Sequence, residues 1–498
     1  MAPNLALSFP RFSPSPACRH DLMPFSWRRQ VEANGEAANG SQSHGNTASI
    51  NSLSVLMQSC KDFKVAIVGG GVCGLTAAVA LAKSNVHAHV FEAAPQFGEV
   101  GAGVGLGVRL PILILRALSP NVFPGPNAVR ILDDIGVLQD VLECCDEPEV
   151  NLRSFIFYSG MADHQFIYDY PLQPEDLGLG VHRAHFLGAL VKHIDPTKSH
   201  HSKRCVQISE DATTHRPVLH FDDGTSFQTD VVLGADGIRS VVRAAVTGED
   251  ARKDVLFSNT TCYRGLIPIE DIRAAGVVID LTQRPVCFVG LDKHLIIFPI
   301  KNGAVINVVA FSTDRSVEIG QANRPESEPW VVPATHEQLL EEYEGWGSDV
   351  TKILGCIQSS SKWHIHVVHP PLPQYVKGRV ALLGDAAHAM LPHLGAGAGQ
   401  ALEDAHLLAK LLAHPQTTSD IIPSVLEAYD HTRRSRAQMV WDRSVMAGNI
   451  YEERGDHGPA IEGVREDLHD LWEPVWRHEL SADLRKSVAY LIQRGVFR

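Results

Sequence analysis

The sequence predicts an α/β fold, in which a Rossmann-like nucleotide-binding domain is interleaved with a mixed or antiparallel sheet domain and followed by C-terminal helices. A β-branched run, Lys64–Val68, leads through clustered glycines into an Ala- and Leu-rich segment, Leu75–Lys83, as in a strand–turn–helix unit. Apolar runs at 295–299 and 305–311 have the alternation of antiparallel strands. After Gln400 the apolar pattern becomes helical.

Composition and charge restrict the class of partner. The 498 residues are 44% hydrophobic, which is enough for a large core and two interleaved domains. Asp and Glu (57) outnumber Lys and Arg (44), and no long basic run is present. Nucleic acids and anionic membranes attract clustered positive charge, so we expect a small organic substrate. No stretch reaches the roughly 18 apolar residues of a membrane-spanning helix.

The nine cysteines show neither a CxxC pair nor the spacing of metal ligands. We therefore expect reduced thiols in a cytoplasmic protein, and no metal site.

Residues 1–62 are rich in Ser, Pro, Asn, Gly and Ala and are predicted to be a disordered tail. Two arginines, Arg11 and Arg19, precede the first acidic residue, Asp21, as in a transit peptide, but prolines interrupt any amphipathic helix. The internal Met57 is an alternative start of the chain.

A glycine-rich turn follows the first predicted strand. Gly69 would allow a tight turn, Gly71 would let the backbone approach a pyrophosphate, and Gly74 would let the helix pack against the strand. The next predicted strand, residues 86–92, carries Glu92 at its carboxyl end, where a carboxylate would accept hydrogen bonds from the ribose of an adenosine. This unit predicts dinucleotide binding without distinguishing FAD from NAD.

Two later segments resemble motifs of the class A flavoprotein monooxygenases, which have the fold of para-hydroxybenzoate hydroxylase. Residues 231–240 contain Asp236-Gly237 and resemble the DG motif of that family, and residues 379–388 contain Asp385 and resemble its GD motif. The resemblance implies FAD as the cofactor. It also implies NADH or NADPH as a co-substrate that visits the flavin transiently, and the sequence has no second complete GxGxxG unit.

The resemblance also implies how FAD is held. Asp385 would accept hydrogen bonds from the ribityl hydroxyls, and the helix that begins in Gly395–Gln400 would direct backbone amides at the flavin pyrimidine. Arg239 could support the nucleotide or the nicotinamide, or form a surface salt bridge. The predicted cofactor-binding residues are Gly69, Gly71, Gly74, Glu92, Gly105, Arg183, Asp236, Asp385, Gly397 and Ala398.

Further segments resemble the salicylate hydroxylases in particular, among them Phe91–Gly103, Thr261–Gly265 and His388–His393. The implied reaction is oxidative decarboxylation of a salicylate-type phenolic acid to a catechol, with NAD(P)H and O2, through a flavin C4a-hydroperoxide. Such a reaction requires a proton acceptor for the phenol, an apolar wall that excludes water, and a group that orients the ring.

His393 and His294 are the candidate proton acceptors, because imidazole titrates near neutral pH, and structural histidines are the alternative. Arg264 would bind a substrate carboxylate or support the sheet. The predicted apolar wall consists of Phe298, Pro392, Ile296 and Cys287, and the small Cys287 would make the pocket roomier than methionine would.

Other functions on the same fold are also considered. A fungal-type tailoring hydroxylase or dearomatase of a larger phenolic polyketide would use the same flavin chemistry. Some related dearomatising enzymes have a tyrosine at the position of Phe298, for which Tyr158, Tyr168 or Tyr170 could substitute here. A non-catalytic binding protein similar to the GDP-dissociation inhibitors, or a flavin oxidase that releases peroxide, is a further alternative.

Residues 108–125 separate two segments that are contiguous in the family, beside the predicted FAD site. They are either a translated, unspliced intron or a genuine surface loop. Peptide mass spectrometry distinguishes the two, because only the intron predicts a peptide in which Gly107 joins Pro126 directly.

The predicted domain boundaries follow from these motifs. The FAD-binding domain comprises 63–190, 225–260 and 376–445, the substrate-binding sheet domain comprises 191–224 and 261–375, and a C-terminal helical segment covers 446–498. Within the C-terminal segment, Trp472 and Trp476 are predicted to lie on a helix that packs on the outside. The basic cluster at 433–436 is predicted to lie on a solvated helix face.

Overall fold

The computed structural model describes residues 61–98, 121–122, 126–144, 155–171, 181–248, 253–301, 303–322, 328–358 and 360–498. The chain divides into two units, 1–57 and 58–498. The first unit makes up most of the predicted tail and lies outside the described residues. Gly105 also lies outside them. Of the 108–125 segment only Asn121 and Val122 are described, and they pair antiparallel with residues 181–182.

In the described residues, strands alternate with helices as far as residue 382, and only helices follow. The strands are β1 Lys64–Val68, β2 His87–Phe91, β3 Asn121–Val122, β4 Ile156–Ser159, β5 Phe166–Asp169, β6 Val181–His182, β7 Ser199–His200, β8 Cys205–Glu210, β9 Pro217–Phe221, β10 Ser226–Gln228, β11 Val231–Gly234, β12 Val255–Pro268, β13 Val286–Gly290, β14 Lys293–Ile300, β15 Val305–Thr313, β16 Val331–Ala334, β17 Ser360–Val368, β18 Val376–Lys377 and β19 Val380–Leu382. The helices are α1 Val72–Lys83, α2 Pro126–Asp134, α3 Leu138–Leu142, α4 Arg183–Val191, α5 Val242–Thr247, α6 Ile269–Ala274, α7 His336–Glu342, α8 Ser348–Gly355, α9 Asp385–His388, α10 Gly397–Ala413, α11 Ile422–Tyr451, α12 Ile461–Leu468, α13 Glu473–Trp476 and α14 Leu480–Gln493. Among these described helices, none combines the length and the apolar character needed to cross a bilayer.

A six-stranded sheet in the order β18-β19-β11-β1-β2-β7 forms the nucleotide-binding half. β1 lies between β2 and β11 and runs parallel to both, and only the edge strand β18 is antiparallel. Val65 and Ile67 of β1 are completely buried, as expected for a central parallel strand covered on both faces. The predicted strand–turn–helix unit and its neighbouring parallel strand are thereby confirmed.

An eight-stranded sheet in the order β16-β17-β12-β15-β14-β13-β4-β5 forms the second half. Its pairings are antiparallel except that between β4 and β13, so the predicted mixed sheet is confirmed, as is the antiparallel pairing of β14 with β15. Several assignments of segments differ from the prediction, and three strands, β8, β9 and β10, form a separate three-stranded sheet. β4 and β5, which lie within 63–190, belong to the eight-stranded sheet, and β7, which lies within 191–224, belongs to the parallel sheet.

The helical C-terminal region differs from the prediction in two places. Arg433 and Arg436 of α11 are 0% and 6% exposed, so these two arginines of the cluster do not lie on a solvated face. They are buried because acidic residues of α10 and α14 pair with them. Trp472 and Trp476 are also buried, in a core cluster with Tyr170 and neighbouring aromatic rings, instead of packing on the outside.

Candidate active site

The glycines of the β1–α1 turn have different structural roles. Gly69 has a φ of 103°, and a Cβ there would lie 2.3 Å from the carbonyl oxygen of Ala235. A Cβ on Gly74 would lie 1.9 Å from the carbonyl oxygen of Gly69. At Gly71, by contrast, the nearest atom to a Cβ would be a guanidinium nitrogen of Arg183, at 3.7 Å, and Gly71 lines a large cavity. Gly69 and Gly74 therefore allow close packing, whereas Gly71 leaves room for a ligand.

The acid at the end of β2 holds the turn in place. The Glu92 carboxylate accepts hydrogen bonds from the backbone N–H groups of Gly70, at 2.7 Å, and Ala94, at 2.8 Å. It is not among the residues that line the cavity. Each carboxylate oxygen retains a lone pair for a further donor, so the predicted contact with a ribose remains a prediction.

Two charged side chains converge on the cavity from the parallel-sheet side. Arg183, at the start of α4, and Asp385, after β19, both line it. Burial raises the pKa of Asp385, and His388, Arg183 and Arg243 counteract that rise. Burial lowers the pKa of Arg183, which Asp385 and Glu92 oppose, and a guanidinium stays charged in any case. The cavity thus offers a cation and an acceptor for a dinucleotide.

Asp236 has a structural role instead of the predicted cofactor contact. Its carboxylate accepts hydrogen bonds from Ser240 Oγ, at 2.6 Å, and from the backbone N–H of Val241, at 2.7 Å, and it does not line the cavity. The neighbouring Gly237 does line it. A carboxylate two residues after a strand end can turn back on its own chain, and the motif alone does not reveal this.

Arg243 connects the two sequence motifs, although the sequence analysis did not select it. Its side chain is completely buried and donates hydrogen bonds to the carbonyl oxygens of Ala386 and Ile238, both at 2.9 Å. The only signal in the sequence was an arginine among the apolar residues of α5. Arg243 therefore fixes the loop after β11 relative to the loop after β19.

A buried ion-pair network supports the loop after β19 from behind. Asp404 accepts hydrogen bonds from the backbone N–H of Gly384, at 2.9 Å, and from His388 Nε2, at 2.7 Å. Arg433 donates to Asp404, at 2.8 Å, and to Glu403, at 2.6 Å. Burial would raise the pKa of Glu403, but Arg433 and then Arg436 lower it to about 2.

Glu403 and Asp483 also lie with His478 in a group whose ligand atoms are within 4.8 Å of one another. The guanidinium of Arg433 already contacts both carboxylates, so this spacing is explained by ion pairing.

The eight-stranded sheet supplies an apolar wall of the same cavity. Side chains on one face of four neighbouring strands line the cavity. Residues of the loop after α9 and of the C-terminal segment line it as well. The lining residues are Cys262, Arg264, Ile296, Phe298, Val309, Phe311, Trp363 and Ile365 from the sheet, and Phe155, Pro285, Pro392, His393, Leu394, Trp472, Val475 and Trp476 from elsewhere. The structure thus brings together the predicted Arg264, Ile296, Phe298, Pro392 and His393.

The aromatic residues that the C-terminal segment contributes to the cavity were not predicted. Trp472 and Trp476 are four residues apart, which is the spacing of one helix face. Cys287 was selected wrongly. It is cross-strand partner to Ile296, but it is completely buried in a core cluster with Phe157 and Tyr451 and does not line the cavity.

The two candidate histidines occupy different positions. His393 lines the cavity, whereas His294 is completely buried behind it and does not line it. The ring centroids of the two histidines are 5.0 Å apart, and His294 stacks on Phe311 at 4.6 Å. Burial and the nearby His294 lower the pKa of His393 to about 3, so that His393 is neutral at physiological pH and can accept a hydrogen bond.

Arg264 is the cation on the sheet side of the cavity. Its guanidinium lies 5.4 Å from the centre of the Trp363 ring, and no carboxylate among the described residues pairs with it. Arg239 is instead exposed and stacks on Trp330 at 4.1 Å. Tyr158, Tyr168 and Tyr170 are not among the described residues that line the cavity.

The shape and chemistry of the cavity fit FAD. Its lining includes Gly71, Gly237 and the backbone of 395–399, where a Cβ on Gly395 would meet nothing within 4 Å. Arg183 and Asp385 line the same cavity, as does the apolar sheet wall. Open backbone, the cation Arg183 and the carboxylate Asp385 suit a dinucleotide whose flavin ring meets an apolar compartment.

Comparison with known proteins agrees with this assignment. Residues 125–444 match a family described as FAD binding domain, and residues 67–105 match one described as NAD(P)-binding Rossmann-like domain. The chain is 37% identical over 436 residues to a salicylate hydroxylase of Pseudomonas putida, covering 86% of this chain and 95% of that one. It is 34% identical over 433 residues to a 6-methylsalicylate 1-monooxygenase of Aspergillus terreus, covering 85% and 91%. A solved salicylate hydroxylase with its substrate aligns with a TM-score of 0.72 at 32% identity, covering 85% of this chain and 98% of that one.

The fold and the cavity define a flavin-dependent monooxygenase that uses FAD as its cofactor, and the similar proteins fit NAD(P)H as a co-substrate. The chain belongs to the FAD-binding-domain family, and within it to the aromatic monooxygenases of the salicylate hydroxylase type. The predicted family, cofactors and fold are confirmed, and the non-catalytic alternative is excluded.

The glycine turn gives a matched pair of substitutions. Gly71→Ala is expected to leave the thermal unfolding temperature of the apoprotein unchanged, because its Cβ has room, but to weaken FAD binding at the closest backbone approach. Gly74→Ala is expected to destabilise the apoprotein by about 1–3 kcal/mol, because its Cβ overlaps backbone. Thermal unfolding and flavin titration of both variants measure this. Equal loss of stability in the two variants would contradict the separate roles.

Proposed function

We propose that the protein hydroxylates salicylate or a closely related phenolic acid at the carbon that bears the carboxylate, which releases CO2 and leaves a catechol. The overall balance is one phenolic carboxylate, one NAD(P)H, one O2 and two protons giving catechol, CO2, NAD(P)+ and water. The observation that carries the proposal is the position of Arg264, an unpaired cation in an otherwise apolar compartment that also contains His393.

Arg264 supports a substrate that is an anion. A guanidinium in an apolar compartment is stable when a carboxylate pairs with it in two parallel hydrogen bonds. Arg264 is placed on the cavity face of β12, next to Cys262 and opposite Val309 of β15. It would therefore anchor the substrate carboxylate and orient the ring that carries it.

His393 supports a substrate that is a phenol. Because burial keeps its imidazole neutral, a ring nitrogen can accept the phenolic proton, and a phenolate is the electron-rich form that an aromatic hydroxylation requires. Phe298, Ile296 and Pro392 surround this part of the cavity with apolar surface. These side chains would exclude water and hold the ring. When bound, FAD takes a hydride from NAD(P)H and activates O2.

Product analysis with purified, FAD-loaded protein tests the proposal. With salicylate, NADH and O2, catechol and CO2 are expected in proportion to the NADH consumed. Benzoate, which has the carboxylate but no phenol, serves as the control and should give no hydroxylated product. Uncoupled peroxide as the sole product from salicylate would overturn the proposal. Hydroxylated products from alkylated resorcinol aldehydes, without catechol from salicylate, would favour tailoring of a larger phenolic polyketide instead.

A further inference from the structure

A row of buried polar groups extends from the cavity toward solvent behind His393. The His393 ring meets that of His294 edge to face, and His294 Nδ1 lies 3.2 Å from Glu452 Oε1. His294 and Glu452 are both completely buried. Glu452 also accepts hydrogen bonds from Thr313 Oγ1, at 2.9 Å, and from Arg315, whose side chain is one-third exposed. The buried Glu452 carboxylate is therefore connected to the cavity histidine, His393, through one other histidine, His294.

Glu452 determines which nitrogen of His294 carries the proton. Burial would raise the pKa of Glu452, but the hydrogen bond from His294 and the charges of His294, His393 and Arg315 lower it to about 2. An ionised carboxylate can only accept, so His294 donates from Nδ1 and its Nε2 is left as an acceptor.

One buried nitrogen of each ring is available for a hydrogen bond. His294 Nε2 and His393 Nδ1 are both buried, and neither has a hydrogen-bond partner among the described residues. Imidazole rings with centroids 5.0 Å apart can bring one nitrogen from each to hydrogen-bond distance, about 2.7–3.2 Å, by a ring rotation, or can share a bridging water. A proton on His393 Nδ1 would then give both nitrogens a hydrogen-bond partner.

His393 alone retains a proton poorly. Its pKa of about 3 results from burial and from the neighbouring His294. A proton that passes to His294 would instead lie beside the Glu452 carboxylate, where the two opposite charges stabilise each other. The Glu452 carboxylate thus supplies the negative charge that stabilises a bound proton, which His393 alone does not have beside it.

We propose that His393, His294 and Glu452 act as one proton-accepting unit, in which Glu452 is a positioning residue that works through His294. This inference rests on the proposed function. The phenolic O–H bond breaks and an N–H bond forms on the cavity-facing nitrogen of His393, while the Nδ1 proton of His393 moves to His294 Nε2. The phenolate charge is then balanced by a His294 imidazolium held by Glu452, and no electron is transferred.

The pH dependence of this unit can be assigned to specific groups. The charged or titratable groups that face Glu452 are His294, His393, Arg315, Arg454 and Tyr343. Of these groups, only the two histidines connect Glu452 with the cavity. A change in the pH profile on removal of the Glu452 charge would therefore report the histidine pair.

The test is Glu452→Gln, which keeps the size and one acceptor oxygen but removes the charge. We expect unchanged FAD content and a loss of about 10- to 100-fold in kcat/KM for salicylate at pH 7, as for other groups that orient a functional histidine. The loss of kcat/KM should become smaller as pH rises. It should also be smaller for nitro-substituted salicylates, because their phenols ionise more readily. Glu453→Gln makes the same change one residue along the chain, and it should preserve both kcat/KM and the pH profile.

A purely structural role of Glu452 would lower the rates for salicylate and nitrosalicylate equally and leave the pH profile unchanged, and this result would overturn the inference. If Glu452→Gln does not fold, Thr313→Val removes one hydrogen bond to the carboxylate and should give a smaller loss, about 2- to 10-fold, with the same dependence on the phenol. Ultraviolet difference spectra without NAD(P)H report whether salicylate binds as phenolate. Failure of catechol formation would refute the proposed function, whereas equal phenolate spectra in wild type and Glu452→Gln would refute this inference alone.

Discussion

Arg433→Met is expected to destabilise the protein by about 3–5 kcal/mol, because it leaves buried carboxylates without their counter-ion. Arg433 is completely buried and donates hydrogen bonds to both Glu403 and Asp404. Asp404 in turn holds the backbone N–H of Gly384, one residue before Asp385. We therefore expect weaker FAD binding together with the loss of stability. Denaturant unfolding of the apoprotein and flavin titration of the folded fraction measure the two effects.

The matched control is Arg434→Met. Arg434 is the next residue of α11, but it is one-third exposed and pairs with Asp430 within the same helix. Surface pairs of this kind contribute about 0–1 kcal/mol, so this variant should remain close to wild type. Equal destabilisation in the two variants would show that the buried network is not the cause.

The same network predicts a pH dependence. The pKa of Glu403 is lowered to about 2 in the folded protein from 4.5, its ordinary value. A carboxyl group with a depressed folded-state pKa contributes stability that is present above pH 4.5 and declines as pH falls from 4.5 toward 2. The free energy of unfolding of Arg433→Met should therefore fall less steeply across this range than that of the wild type. Parallel slopes would contradict the ion-pair origin of the shift.

Arg264→Met is expected to lower kcat/KM for salicylate by about 30-fold to several thousand-fold, corresponding to the loss of about 2–5 kcal/mol when one partner of a buried charge pair is removed. Arg264 is the cation on the apolar sheet wall, so its loss leaves the substrate carboxylate without a partner. FAD content should be unchanged, because Arg264 is not among the predicted cofactor-binding residues. Steady-state kinetics and flavin absorbance distinguish these outcomes.

Two comparisons distinguish substrate binding from support of the sheet. Lys362→Met removes a cation from β17, where Lys362 stacks over Tyr263 and lines a different pocket, and it should preserve the KM for salicylate. The uncharged analogue 2-hydroxybenzamide should bind to Arg264→Met as it does to wild type. If Arg264→Met loses affinity for the amide as much as for salicylate, Arg264 supports the sheet instead.

The motifs that carry local backbone geometry were predictable from the sequence. A strand, a glycine turn and a helix are encoded within about 20 consecutive residues, so the position of Gly71 followed from the pattern alone. Asp385 and His393 were selected because their segments resemble the family, and both line the cavity. Arg264 was selected because its segment resembles the family.

The errors arose where long-range packing decides the role of a side chain. Cys287 lies on a strand of the substrate sheet, but helix α11 contributes Tyr451, which shares a buried core cluster with Cys287. Asp236 was expected at the cofactor, but its nearest donors are in its own loop. A short-range pattern specifies which residues share a strand face, and it does not specify what covers that face.

The sequence by itself determined the elements that form the nucleotide-binding turn, because these depend on neighbouring residues. Its resemblance to a known family implied the class of the protein and its cofactor. The tertiary structure decided that Arg433 is buried, that Trp472 and Trp476 line the cavity, and that Glu452 stands behind His393. The Arg433–Asp404 and His294–Glu452 contacts join residues separated by 29 and 158 positions in the chain. Burial and charge pairing at that range depend on how the helices and sheets pack, and no local pattern in the sequence records it.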